Sequence, residues 1–244
     1  MSADYRHLRA DKLIETAEHL AARVAAAFPH AGLGDVARTI ADVARNAVER
    51  AEKIRRPDWW LRGGLIGFGV LVVVLAGIGA SVAMGEEGPF GPRFMDLMRT
   101  TSGAAVALSA VVVFLVTLET RLKRSRAVAA ILELRSLAHI IDMHQLTKDS
   151  ALLGRPDGPQ MPSGDLMTAA DISAYLHYCT ALLSLLSKIG HLYVQDFADA
   201  PALAAVDQFE GLTTGLTQKI WQKLMILDRV QACDVPGPEP SPVI

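Results

Sequence analysis

Apolar and polar residues are arranged along this chain in two ways. Two stretches contain no charged residue, while much of the remainder places its apolar residues at the three- and four-residue spacings of amphipathic helices. The first charge-free stretch, GGLIGFGVLVVVLAGIGASVAM, runs 22 residues from Gly63 to Met84. The second, TSGAAVALSAVVVFLVTL, runs 18 residues from Thr101 to Leu118. A helix of about 20 apolar residues crosses a hydrocarbon core of about 30 Å, so each stretch predicts a membrane span. Glycine and valine weaken a helix in water but are ordinary in such spans.

The flanking charges predict an orientation. Lys53, Arg55, Arg56 and Arg62 precede the first stretch, and Arg121, Lys123, Arg124 and Arg126 follow the second. The connection from Gly85 to Arg99 has only Arg93 and Arg99 as basic residues. Basic flanks stay on the cytoplasmic side, so both termini are expected there and the connection outside. Trp59 and Trp60 stand where an interfacial aromatic anchor belongs. The opening MSADYRHLRADKLIE lacks the apolar core of a cleaved leader, so none is expected. These features together predict a multi-pass protein of a bacterial inner membrane. Gly63 with Gly67, Gly77 with Ser81, and Ala105 with Ser109 are small residues four apart, a spacing that lets membrane helices approach closely.

Outside the spans the pattern is amphipathic. Leu13, Ala17, Leu20, Val24 and Phe28 line one face of a helix expected from about Asp4 to Phe28, which Pro29, Gly32 and Gly34 then break. Val36, Ile40, Val43 and Ala47 line a second, over about Asp35 to Arg56. From Ala104 to Leu153 there are 50 residues with neither glycine nor proline, so the second span is expected to continue into a long cytoplasmic helix. Val128, Ile131, Leu134, Ala138 and Ile141 repeat along it at bundle or coiled-coil spacing. After a Gly- and Pro-rich loop, Thr168 and Asp171 form a capping-box signal. Two heptad series follow, Ile172, Cys179, Leu186, Tyr193 and Tyr175, Leu182, Ile189. Asp199 is expected to cap a last helix, with Pro201 in its first turn and Phe209, Leu212, Leu216, Ile220, Leu224 and Leu227 on its apolar face. The fold class is therefore all-α: a two-helix membrane hairpin with a cytoplasmic helical bundle. The expected divisions are residues 1–57, 58–120, 121–230 and a Pro-rich disordered tail, 231–244.

Composition narrows the chemistry. A net charge of −2 gives no general attraction to nucleic acid, and two cysteines, Cys179 and Cys233, supply neither a disulfide framework nor a four-cysteine zinc site. No ionisable residue lies within either span, which argues against a proton-coupled transporter. No phosphate-binding loop, nucleophile elbow or His-Glu-x-x-His motif occurs, so neither enzymatic activity nor a cofactor is expected. The densest polar cluster is Arg135, His139, Asp142, His144, Gln145 and Lys148. Arg135, His139 and Asp142 fall within about 60° of one another on one helix face, while His144 lies about 140° from His139, so the two imidazoles cannot share a metal. Arg135, His139, Asp142 and Gln145 are accordingly read as a polar layer that sets register or docks a partner.

The segments LRSLAHIIDMHQLTKD, SKIGHLYVQDF and GLTTGLTQKIWQKLMIL resemble a family of uncharacterised bacterial two-span inner-membrane proteins, over about Arg121 to Leu227. In layout, a basic helix, a two-span hairpin and cytoplasmic helices, the chain is similar to SLATT-type two-transmembrane effector domains. That resemblance implies a membrane pore triggered by a signalling partner. The expected function is a non-enzymatic, homo-oligomeric inner-membrane scaffold that docks a cytoplasmic protein, with an oligomeric pore gated by the cytoplasmic helices as the alternative.

Overall fold

The computed structural model describes residues 8–29, 31–55, 63–64, 67–71, 73–74, 77–78, 92–146, 148, 158–161 and 164–233, and among them the regular structure is helical. Five helices have defined ends: α1 (Ala10–Ala27), α2 (Gly32–Arg55), α3 (Pro92–Leu146), α4 (Ala169–Leu192) and α5 (Ala200–Cys233). The described residues between 63 and 78 are helical as well. Trp59, Trp60, Ser81 and the tail from 234 lie outside the described residues, as do the side chains of Ala105 and Cys233.

The chain forms two compact units, one of Met1–Arg55 with Ala127–Ile244, the other of Arg56–Arg126. The first is a helical bundle whose core gathers the predicted stripes. Leu13, Ala17, Leu20, Val24 and Phe28 of α1 and its C-cap are buried, as are Val36, Ile40, Val43 and Ala47 of α2. The central helix is α4, which packs on α1, α2 and α5. Both of its heptad series are buried, from Ile172 through Tyr193. The α5 stripe is buried too, except that Leu212 is half-buried. Phe28 meets Tyr175 edge-on at 5.2 Å, joining α1 to α4.

Local chemistry fixes the helix ends. The Thr168 side chain accepts from the Asp171 backbone N–H at 3.1 Å, and the Asp171 carboxylate accepts from the Thr168 N–H at 2.9 Å, which completes the capping box at α4. A tight turn leads into it. The Met161 N–H donates to the Asp165 carbonyl at 2.7 Å, and Gly164 takes φ 91°, a left-handed conformation open to glycine. The Asp199 carboxylate accepts from the Ala202 N–H at 3.3 Å at the start of α5.

Three helix boundaries depart from the sequence expectation. Gly32 and Gly34 do not separate α1 from α2; they form the first turn of α2, and α1 ends at Ala27. Gly32 has a packing reason, because a Cβ there would come within 2.6 Å of the His144 ring. The long helix begins at Pro92, before the charge-free stretch, with proline in the position where its missing N–H costs nothing. It ends at Leu146, where the Lys148 N–H turns back onto the Gln145 carbonyl at 3.1 Å, short of the expected Leu153.

Among the described residues, one helix is long and apolar enough to cross a membrane by length and composition: α4, at mean hydropathy 1.2. Its apolar residues are used against α1, α2 and α5, with 44% of its most apolar stretch buried.

Candidate functional site

The polar cluster near the C-terminal end of α3 is divided by the fold. Taking Gln145 as the inward direction, Asp142 stands about 60° around the helix, Arg135 about 80° and His139 about 120°. Burial follows that order: Gln145 is 1% exposed, Asp142 half-buried, and Arg135 and His139 exposed. Gln145 donates through Nε2 to the Asp142 carboxylate. Its backbone carbonyl accepts from Lys223 Nζ of α5 at 3.1 Å, while its side-chain Oε1 is buried without a hydrogen bond. Gln145 therefore links α3 to α5 through its backbone carbonyl, with Asp142 bonded to its side chain inside α3, whereas Arg135 and His139 lie on the outer face. The four do not form one layer.

His144 faces the opposite side of α3, against Gly32 at the start of α2. Lys148, just beyond α3, is half-buried; its Nζ donates to the Gln160 carbonyl at 2.9 Å and lies 5.6 Å from the centre of the Tyr175 ring. Burial of the ammonium lowers its pKa, and the aromatic face partly compensates the charge. Sequence spacing along one helix could not pair Lys148 with Tyr175 or Gln145 with Lys223, since each partner comes from another element.

A second polar cluster, missed in the sequence, joins α2 to α3 beside Tyr193, the C-cap of α4. Arg50 and Glu133 form an ion pair at 2.5 Å, both partly exposed. The Tyr193 hydroxyl is buried beside them and makes no hydrogen bond of acceptable geometry, although Arg50 acts electrostatically on it. Burial is the main cause that raises the Tyr193 pKa, opposed by Arg50. The only sequence signal was the heptad position of Tyr193.

Cys179 is a core side chain. Cys179 is buried at the centre of α4, and desolvation pushes its pKa up to about 12, so it remains a protonated apolar side chain at neutral pH. Among the described residues no three of His, Cys, Asp or Glu gather as metal ligands.

The Arg56–Arg126 unit carries a different surface. Phe68, Val70, Leu71, Val73, Val74 and Ile78 are exposed in its first helical part, and Val106, Val113, Phe114 and Val116 are 55–72% exposed on α3. Among the described residues, a Cβ at Gly63, Gly67 or Gly77 would meet nothing within 4 Å. Ser109 belongs to the wall of an open groove of about 580 Å³, with Ala110, Val113, Phe114, Thr117, Leu118 and Arg121. The chain matches no known protein family, no characterised protein and no solved structure.

Proposed function

We propose that this protein is a multi-pass inner-membrane scaffold that homo-oligomerises, is anchored by residues 63–84 and 101–118, and presents its helical bundle to a protein partner in the cytoplasm. The observation that carries this reading is the change of surface along α3. Val106, Val113 and Phe114 leave about two-thirds of their surface exposed, whereas Leu134, Ala138 and Ile141 on the same helix have none exposed. Burying a Val, Leu or Phe side chain is worth about 1.5–3 kcal/mol, so a row of them left in water would be strongly unfavourable. Lipid removes that cost, and the two charge-free stretches have the length and the basic flanks that lipid requires.

The bundle supports a docking role rather than chemistry. Its buried Gln145, Asp199 and Thr213 make side-chain hydrogen bonds local to their own helices, its thiol is protonated, and Arg135 and His139 stand outward on α3 beside the exposed Leu132 and Met143. Mixed apolar and basic surfaces of this kind suit protein partners.

The test uses membranes from cells producing the full chain. Resistance to alkaline carbonate extraction together with a cross-linked homo-oligomer is expected, and His139→Leu should change oligomer size or partner capture while leaving insertion intact. Release by carbonate contradicts the membrane anchor, and a solely monomeric cross-linking pattern contradicts the oligomer. Discrete single-channel openings in planar bilayers would replace the scaffold with a pore.

A further inference from the structure

The described residues that line the groove fall on two rows of α3 with side chains four residues apart, Ser109, Val113, Thr117, Arg121 and Ala110, Phe114, Leu118. Between Ser109 and Arg121 these described residues are apolar except for Thr117. The Thr117 hydroxyl donates to the Val113 carbonyl at 2.7 Å, so its hydrogen-bonding need is met inside the helix. Ser109 to Arg121 spans ~18 Å along the axis, and one leaflet of the hydrocarbon core is about 15 Å thick. The volume of about 580 Å³ falls within the range of small-molecule sites.

One end of this apolar groove is cationic. Arg121 is exposed and makes no ion pair among the described residues. Its neighbour Lys123 is differently placed: it pairs with Glu119 at 2.8 Å, with side-chain exposures of 12% and 13%. Arg121 is thus a guanidinium at the cytoplasmic end of the proposed span, geometrically suited to hold a phosphate through two parallel hydrogen bonds.

We propose that this groove binds one anionic phospholipid, with an acyl chain along Val113, Phe114 and Leu118 and the headgroup phosphate on Arg121. The inference rests on the membrane reading above. A second copy of the chain fits less well, because a parallel neighbour sharing the same membrane orientation would bring its own Arg121 to the same level, like charge against like charge. A lipid phosphate neutralises that charge and fills the same apolar length.

The test is native mass spectrometry of the full-length protein, offered phosphatidylglycerol or phosphatidylcholine with identical acyl chains. Each variant is first shown to insert by liposome flotation. Wild type should retain phosphatidylglycerol in preference, Arg121→Gln should lower that preference about five-fold, and Ala110→Trp, which fills the groove, should remove both lipids. Lys219→Gln, on the exposed face of α5, should change nothing. Wild-type protein that fails to float contradicts the membrane reading itself. Protein that floats but holds phosphatidylglycerol equally with and without Arg121 overturns the lipid site alone. So does an Ala110→Trp variant that loses a dimer in place of a lipid, or an Arg121-dependent adduct seen with inorganic phosphate and not with the lipid.

Discussion

The two halves of α3 use apolar residues in opposite ways. From Ala127 to Gln145 the helix buries one stripe, Ala127, Ala130, Ile131, Leu134, Ala138, Ile141 and Gln145, and exposes mostly polar residues elsewhere. Between Val106 and Val116, the described Val106, Val111, Val113, Phe114 and Val116 are exposed, while Val112 and Leu115 are half-buried. A single helix with one backbone geometry thus buries its large apolar residues along one stripe in one half and exposes several of them in the other. A stripe suits protein on one side and water on the other, whereas exposed apolar residues on several sides are what the proposed lipid contact requires.

The comparison is sharpened most by paired truncations along this helix. Leu134→Ala removes a fully buried side chain that also approaches Gly190 of α4. It should destabilise the bundle by about 2–5 kcal/mol, whereas Val113→Ala should leave bundle stability within about 0.5 kcal/mol of wild type. Denaturant unfolding in detergent, followed through the bundle's own signal, reads both. Equal losses at the two positions would break the distinction between the halves.

Alkaline pH probes the same core. The ordinary thiol value is near 9 and burial holds Cys179 near 12 in the fold. Between those values the unfolded thiol has lost its proton and the folded thiol retains it, so stability falls as pH rises, by as much as about 1.4 kcal/mol per pH unit. Tyr175 and Tyr193, both raised chiefly by burial, act in the same direction at the upper end. Cys179→Ala should lessen the slope of stability against pH between 9 and 12. An unchanged slope would show that the thiol is not protected by the core.

A smaller effect is expected at the edge of the bundle. Thr168→Ala removes the half of the α4 capping box in which the Thr168 hydroxyl accepts from the Asp171 N–H, and leaves the Thr168 N–H to donate to the Asp171 carboxylate. It should cost about 1 kcal/mol, visible as a lower midpoint with an unchanged denaturant slope. Loss of no stability would mean that packing alone sets where α4 begins.

Much of the bundle was legible in advance, because burial of a helix stripe depends on azimuth and azimuth depends on spacing. The seven heptad positions of α4 from Ile172 to Tyr193, and the stripes of α1 and α2, are buried as the spacing predicts. On α3, Val128 was placed on the core stripe and is only half-buried, since the inward direction runs through Ala127, Ile131 and Leu134 and leaves Val128 at its border. The site was less legible. Arg135, His139, Asp142 and Gln145 share a broad face, yet neighbouring α5 reaches only its inner edge, through Lys223. Spacing within one helix does not say where the next helix stands. Gly32 misled for a related reason: it reads as a breaker until the His144 ring, more than a hundred residues away in sequence, is seen to need the space.

The most direct measurement is the environment of two exposed positions by spin-label power saturation in liposomes, one label at Val113 on α3 and one at Gln218 on α5. The label at 113 should be relaxed strongly by dissolved oxygen and weakly by a water-soluble nickel chelate, and the label at 218 should show the reverse. If the nickel chelate reaches both positions equally, residue 113 lies in water and the membrane account of the Arg56–Arg126 unit is contradicted.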